Sequence, residues 1–208
     1  RTMKKNAVIL AVAVLTVIFS TQLSAQDQPV SVGIKAGTNL SNYRLGGGMN
    51  SSTSRMGIGG TLGGVIKYEL SKNFALQSGA DVYYRTSQSG SSSDNAGGKF
   101  ISIGVEIPLY GIVQGAIGSG RAFIGAGPHV GYGISAKSQG VSLFKNDRET
   151  GRPAMHRFDY GAGGIVGYDF NKNWQINASY QFGMAVLLKS KGGDMKSQSA
   201  SIGIAFKF

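Results

Sequence analysis

The chain has 208 residues, of which 41% are hydrophobic and 33 are glycine, with no cysteine and a formal charge of +11. This length supports one domain, and the missing cysteines exclude both disulfides and a lipidated amino-terminal cysteine. The basic balance favours anionic partners, and the export signal described next turns that expectation towards lipid phosphates and away from nucleic acid.

Lys4 and Lys5 precede a predominantly apolar run from Ala7 to Phe19, followed by the more polar Ser20 to Ala25. This is the n-, h- and c-region order of a secretory signal peptide, and the run is shorter than the ~20 residues a spanning helix needs. Arg1 and Thr2 read as an upstream extension before Met3. The expected division is therefore residues 1–25 as signal and 26–208 as one mature domain, whose formal charge falls from +11 to +8 with the loss of Arg1, Lys4 and Lys5.

From Val30 the pattern changes to period two, the signature of strands. The expected strands run Val30–Leu40, Met56–Leu70, Phe74–Arg85, Phe100–Val113, Arg121–Ser135, Arg157–Phe170, Trp174–Leu188 and Ser199–Phe208. Apolar residues occupy one parity, such as Val32 and Ile34, Leu62 and Ile66, or Ile202, Ile204 and Phe206. Small or charged residues occupy the other. Pro108 needs an unpaired backbone position or a bulge. Long connections, Gly/Ser-rich at Ser41–Arg55 and Thr86–Gly98 and polar at Ala136–His156, alternate with short links at Ser71–Asn73, Gln114–Gly120 and Asn171–Asn173, and a last loop covers Lys189–Asp194. Eight strands, apolar outward and polar inward, with long and short connections alternating, define an all-β fold: an eight-stranded antiparallel up-and-down transmembrane β-barrel. The closing strand must pair with the first so that no sheet edge meets lipid. It ends on the aromatic Phe208, the feature expected to engage the barrel-assembly machinery.

Two patterns reinforce this reading. Tyr68, Phe74, Phe170, Trp174 and Phe208 fall near the short-turn ends of the outer parity, and Tyr84, Tyr132, Phe158, Tyr160 and Phe182 near the long-loop ends, as two aromatic girdles. Gly57, Gly59 and Gly63, then Gly125, Gly127 and Gly131, then Gly161, Gly163 and Gly167 share one G-x-G-x-x-x-G spacing on the inner parity. That is not the spacing of a phosphate-binding loop, which would also need a following helix; glycine here leaves room in a narrow lumen.

The inner parity places Lys35, Asp81, Glu106, His129 and Gln181 near mid-strand as a polar lumen layer, with Lys67, Glu69, Arg85, Asp159, Asp169 and Lys207 towards the ends. An eight-stranded interior is just wide enough to be filled by side chains, so the expectation is an ion-paired plug. The sharper alternative is a proton path through Lys35, Glu106 and His129. With two histidines and no cysteine, no metal-ligand spacing and no cofactor motif is recognised, and no nucleophile motif marks a catalytic serine for His129. Arg44, Arg55, Lys99, Lys137, Lys145, Arg148, Arg152 and Arg157 are candidate contacts to lipopolysaccharide phosphates.

Several stretches resemble the PorT-like outer-membrane β-barrel family of Bacteroidetes-type bacteria: Gly33-Ile-Lys-Ala-Gly-Thr-Asn-Leu-Ser-Asn42, Tyr68-Glu-Leu-Ser-Lys-Asn-Phe-Ala-Leu-Gln77, Val105-Glu-Ile-Pro-Leu109 and Gly125-Ala-Gly-Pro-His-Val-Gly-Tyr132. The resemblance implies an eight-stranded barrel in the outer membrane of a Gram-negative bacterium and carries no catalytic motif. The expected role is non-enzymatic: a structural or accessory barrel in contact with outer-membrane lipid, alone or docked to a protein complex there. The alternatives are an accessory of a protein secretion system, as some PorT relatives are, and, from other classes, a lipid-A-modifying enzyme or a surface adhesin.

Overall fold

Alternating side chains drive eight long strands: β1 Val30–Gly46, β2 Arg55–Glu69, β3 Phe74–Gln88, β4 Lys99–Ile117, β5 Gly120–Ser138, β6 Phe158–Asp169, β7 Trp174–Gly183 and β8 Gly193–Lys207. This computed structural model describes residues 29–46, 52–53, 55–88, 99–138, 141–144, 155–190 and 193–208. The expected signal segment lies outside them. Each strand pairs antiparallel with the next, and β8 returns to pair with β1 from Gly33↔Lys207 to Gly46↔Asp194, which closes the barrel. Short strands Ser52–Thr53, Val141–Ser142 and Leu188–Ser190 pair antiparallel with β1, β5 and β8 respectively at the long-loop end.

The register fixes the shape. A circuit from Val30 through Tyr68, Leu76, Gly111, Ala126, Gly164, Tyr180 and Ala200 returns to β1 at Leu40, ten residues farther along. That climb of about 33 Å over a circumference of about 38 Å tilts the strands by about 40°. Each residue then rises about 2.5 Å along the barrel axis. Corrected for this tilt, Tyr68, Phe74, Phe170, Trp174 and Phe208 fall at one height, all exposed. Tyr84, Tyr132, Phe158 and Tyr160 form a second exposed ring about ten residues higher. The separation of about 25 Å is the height of the apolar band that an outer-membrane barrel presents to lipid.

The strands outrun their sequence-based limits at the outer end. Ser41–Gly46, Thr86–Gln88 and Ala136–Ser138 are strand, not loop, and β4 runs through Ile117 to a two-residue turn at Gly118 and Ser119. Their serines and glycines hid a period-two pattern that backbone pairing alone continues. Gly118 has φ 61°, the left-handed conformation that lets the hairpin close so tightly. Conversely, β7 ends at Gly183, not Leu188. Backbone N–H groups of Met184 and Ala185 both donate to Tyr160 O, and pairing resumes at Leu188. Pro108 pairs with His129 on the β5 side, while on the β3 side the ladder skips from Ser78↔Leu109 to Asp81↔Glu106. Proline thus occupies an unpaired position, and Ser78 Oγ donates to its carbonyl at 2.8 Å.

A pseudo-twofold relation runs through the barrel. Gly63-Gly64, Tyr68, Lys72 and Asn73 recur one hundred residues later as Gly163-Gly164, Tyr168, Lys172 and Asn173, with Glu69 matched by Asp169 and Phe74 by Trp174. Both copies form the same hairpin. Ser71 Oγ accepts from the backbone N–H of Asn73 and Phe74, as Asn171 Oδ1 accepts from those of Asn173 and Trp174. Asn73 Nδ2 donates to Gln114 O at 3.2 Å and Asn173 Nδ2 to Lys207 O at 2.9 Å. Hairpin β2–β3 with β4 therefore mirrors hairpin β6–β7 with β8 on the opposite wall.

Candidate functional site

Inward-pointing side chains fill the lumen in layers. At the short-turn end, Asp169 of β6 accepts from Lys67 Nζ of β2 at 2.6 Å and from Lys207 Nζ of β8 at 2.7 Å, tying three strands across the barrel. Lys67 is fully buried and lies over the Phe123 ring, 5.1 Å from its centroid. Gln175 Nε2 donates to Gln77 Oε1 beside it. Ala75, Tyr110, Ile112, Phe123 and Ile165 pack as an apolar cluster at and above this height. At the rim, Arg121 and Glu69 form an exposed pair.

The middle layer is built around Arg85 of β3. Its Nη2 donates to Glu106 Oε2 at 2.8 Å and to Gln181 Oε1 at 3.2 Å, and its guanidinium stacks 4.2 Å from the Tyr83 ring centroid. Gln181 Nε2 in turn donates to Glu106 Oε1 and to Tyr110 Oη. Lys35 pairs with Asp81 at 2.8 Å, and Ser197 Oγ donates to Asp159 at 2.6 Å. Among the described residues the lumen holds four cations (Lys35, Lys67, Arg85, Lys207) and four anions (Asp81, Glu106, Asp159, Asp169). Charges of opposite sign cancel in number, which is what makes so much ionised surface tolerable out of water. A cavity of about 40 Å³ remains between Lys35, Asp81, Glu106 and Asn177, room for a few water molecules.

Above this layer the lumen turns apolar. Tyr43, Phe100, Ala136, Phe144, Met155, Ala185 and Leu187 pack together, with Leu143 and Met195 against them, and Tyr43 meets Phe100 edge-on at 4.7 Å. Both described ends of the third long connection join in: Leu143 N–H donates to Ala136 O, Met155 N–H to Leu143 O and His156 N–H to Leu187 O. This apolar cap escapes a reading in which every inward residue is polar. Tyr43, Ala136, Phe144 and Met155 come from stretches read as connections and Phe100, Ala185 and Leu187 from the loop ends of expected strands, so only the fold collects them.

The geometry sorts the sequence candidates. Asp81, Glu106, His129 and Gln181 come within about one residue of a common height, with Lys35 lower and reaching up to Asp81. Glu106 and Gln181 join through Arg85, a residue first assigned to the strand ends. Lys35, Glu106 and His129 do not form a chain: Lys35 binds Asp81, Glu106 binds Arg85, and the buried His129 Nδ1 has no hydrogen-bond partner among the described residues. Of the basic candidates, Arg44 and Lys137 are exposed. Arg157 is already engaged, donating to Gly133 O and Ile134 O and stacking 4.5 Å from the Phe144 centroid. Arg55 and Lys99 begin strands but their side chains, like Lys145, Arg148 and Arg152 altogether, lie outside the described residues. Glycine makes the packing feasible: a Cβ on Gly161 would stand 2.7 Å from the His129 ring.

The model of the outer membrane protein beta-barrel domain matches residues 22–188; β8, which closes the barrel, lies beyond that span. No protein of curated function matches. Among solved structures, the chain is similar to OprG from Pseudomonas aeruginosa, with 11% identity over 87% of this chain and 97% of that one and a TM-score of 0.49. Neisserial surface protein A is similar at 14% identity, covering 84% and 97%, with a TM-score of 0.44. The outer membrane enzyme PagL is similar at 15%, covering 79% and 97%, with a TM-score of 0.42. Closed register, two aromatic rings and a matching family model agree, and the chain belongs to the outer membrane protein beta-barrel domain family.

Proposed function

We propose that this outer-membrane barrel is a non-conducting, non-enzymatic structural or accessory component of a Gram-negative envelope, delivered by the signal peptide at residues 1–25. The observation that carries this reading is the filled lumen: ion pairs spanning β2, β6 and β8, a second network around Arg85, and an apolar cap over both. An ion crossing it would have to separate charges that are buried and paired, at a cost of several kcal/mol each. The finer kinship with PorT-like barrels, and with it a place beside a secretion complex, rests on the stretches quoted above. A lipid-A hydrolase centred on His129 is disfavoured because that ring is 3% exposed and faces the lumen, away from acyl chains. Planar-bilayer recording of the refolded mature barrel tests the reading: no unitary conductance is expected between pH 5 and 8, and steady open-channel steps would refute it.

A further inference from the structure

We propose that the β1–β8 seam is a binding site for a phosphate-bearing, multiply acylated glycolipid of the outer leaflet. Arg44 and Lys196 are direct cross-strand partners, both on the outward parity. Like charges placed opposite one another destabilise a sheet, and neither cation has a hydrogen bond or ion pair among the described residues. They stand just above the upper aromatic ring, at headgroup depth.

Beneath them the outer wall is indented. A groove of about 530 Å³ crosses from β1 to β5, with Thr38, Ala178 and Ala200 among its small residues and Leu40, Tyr180 and Ile124 along its length. From Leu40 down to Ile124 it descends about 17 Å at the axial rise set by the tilt. That descent passes the middle of the apolar band, which is about 25 Å tall, so a chain hanging from a headgroup at Arg44 and Lys196 lies along the upper part of the groove.

The pseudo-twofold supplies an internal control. Matching Gln114 to Lys207 through the two asparagine brackets aligns Ile107 with Ala200 and Ile103 with Lys196; where Lys196 pairs with Arg44, Ile103 pairs with Ser135, next to Ile134 at a bulge. Ile103, Ile107 and Ile134 are all exposed to lipid. One wall thus carries Ile103 and Ile107 where the other carries Lys196 and Ala200, and it has no cation at the position that matches Arg44. The fold does not require the basic pair or the indentation. This inference is independent of whether the lumen conducts.

The test uses isoleucine substitutions, and the opposite wall already carries isoleucine at the positions that match Lys196 and Ala200. The full mature barrel is placed in phosphatidylcholine nanodiscs doped with diphosphoryl hexa-acyl lipid A, and retained lipid is counted by native mass spectrometry. Wild type is expected to retain lipid A preferentially. The Arg44→Ile/Lys196→Ile double variant is expected to lose about 30-fold, at the strength of two interfacial cations, and Ala200→Ile to weaken retention without altering the charge. Unchanged retention in these variants would overturn the proposal. So would equal retention of dephosphorylated lipid A, or equal binding of the chain-free bisphosphorylated disaccharide, which would leave the groove without a role. Lys72→Ile, at a short turn on the far side of the membrane, is expected to change nothing; a loss there equal to the double variant's would also overturn the assignment.

Discussion

Asp169 is the most exacting test of the lumen, because one carboxylate holds two ammonium groups that have almost no access to water. Lys67 is 0% exposed, Lys207 4% and Asp169 6%, and the contacts are 2.6 and 2.7 Å. In Asp169→Asn one oxygen can still accept a single hydrogen bond, but the new amide presents its N–H groups to the second ammonium. Removing one partner of a buried pair costs about 3–5 kcal/mol, and the upper half of that range is expected since two cations are stranded. Urea titration in lipid vesicles, followed by the fluorescence of Trp174, the only tryptophan, reads this directly, since its ring packs 5.0 Å from Phe206 at the same end. Glu69→Gln is the control: it breaks the rim pair with Arg121, whose side chains are 44% and 36% exposed, and is expected to cost under about 1 kcal/mol. Replacing all three charges together, Lys67→Met, Asp169→Leu and Lys207→Met, is expected to recover most of the loss. A cost below about 1 kcal/mol for Asp169→Asn would mean that the ammonium groups are hydrated, and the dry plug would be refuted along with the argument against conduction.

Other consequences can be checked with the same preparation. Gly133→Ala puts a Cβ 2.5–3.0 Å from the Phe144 ring, an overpacking expected to cost about 1–3 kcal/mol; combined with Phe144→Ala, it should add nothing to that variant's own loss. Asn73→Ala and Asn173→Ala each remove a side-chain bond to the next strand, and matched losses of about 1 kcal/mol are expected if the two hairpins are equivalent. Trp174 is expected to be quenched most by lipids brominated near the headgroup, and maximal quenching by chain-end bromines would displace the girdle assignment.

How far the sequence reaches depends on what each residue's environment must be. Lipid demands apolar side chains on every outward position of the band, so Ile58, Leu62, Ile66 or Ile202 and Ile204 announce their parity, and strand number, closure and both girdles follow from them. Above the band that demand lapses. Ser41, Thr86 and Ala136 continue their strands through backbone pairing that composition does not mark, which is why the strands were read short. Inside, parity places Asp81, Glu106, His129 and Gln181 at a common depth, but not who binds whom, because partnership depends on side-chain reach across the lumen. Arg85 is long enough to bind Glu106 from about one layer higher, while His129, at the layer itself, stays outside the network. Lys196 carries no mark in the sequence for a related reason: it stands near the last loop and meets Arg44 only across the closing seam. The hairpin repeat at Tyr68 and Tyr168 was in plain view as sequence, and needed only a comparison at an offset of one hundred residues.

A barrel whose interior is spent on holding itself together has its outer wall and its extracellular loops left for interaction. Lipid alone would favour a wall of uniform bulk, since unfilled grooves forfeit packing. The pseudo-twofold makes the departure measurable within one chain: the β4–β5 seam carries Ile103, Ile107 and Ile134, and the β8–β1 seam carries Lys196, Ala200 and Arg44. The β4–β5 ladder carries a register shift between Ile103 and Gly104 that the β8–β1 ladder lacks, but below it Ile107↔Val130 and Ala200↔Leu40 are ordinary pairs, so the ladder does not account for the difference between Ile107 and Ala200. What distinguishes them is a pair of cations at headgroup depth and a recess below, features that serve a ligand with charge at one end and hydrocarbon at the other. On the proposal above, recognition falls on the outer surface of the barrel, at the junction of its first and last strands.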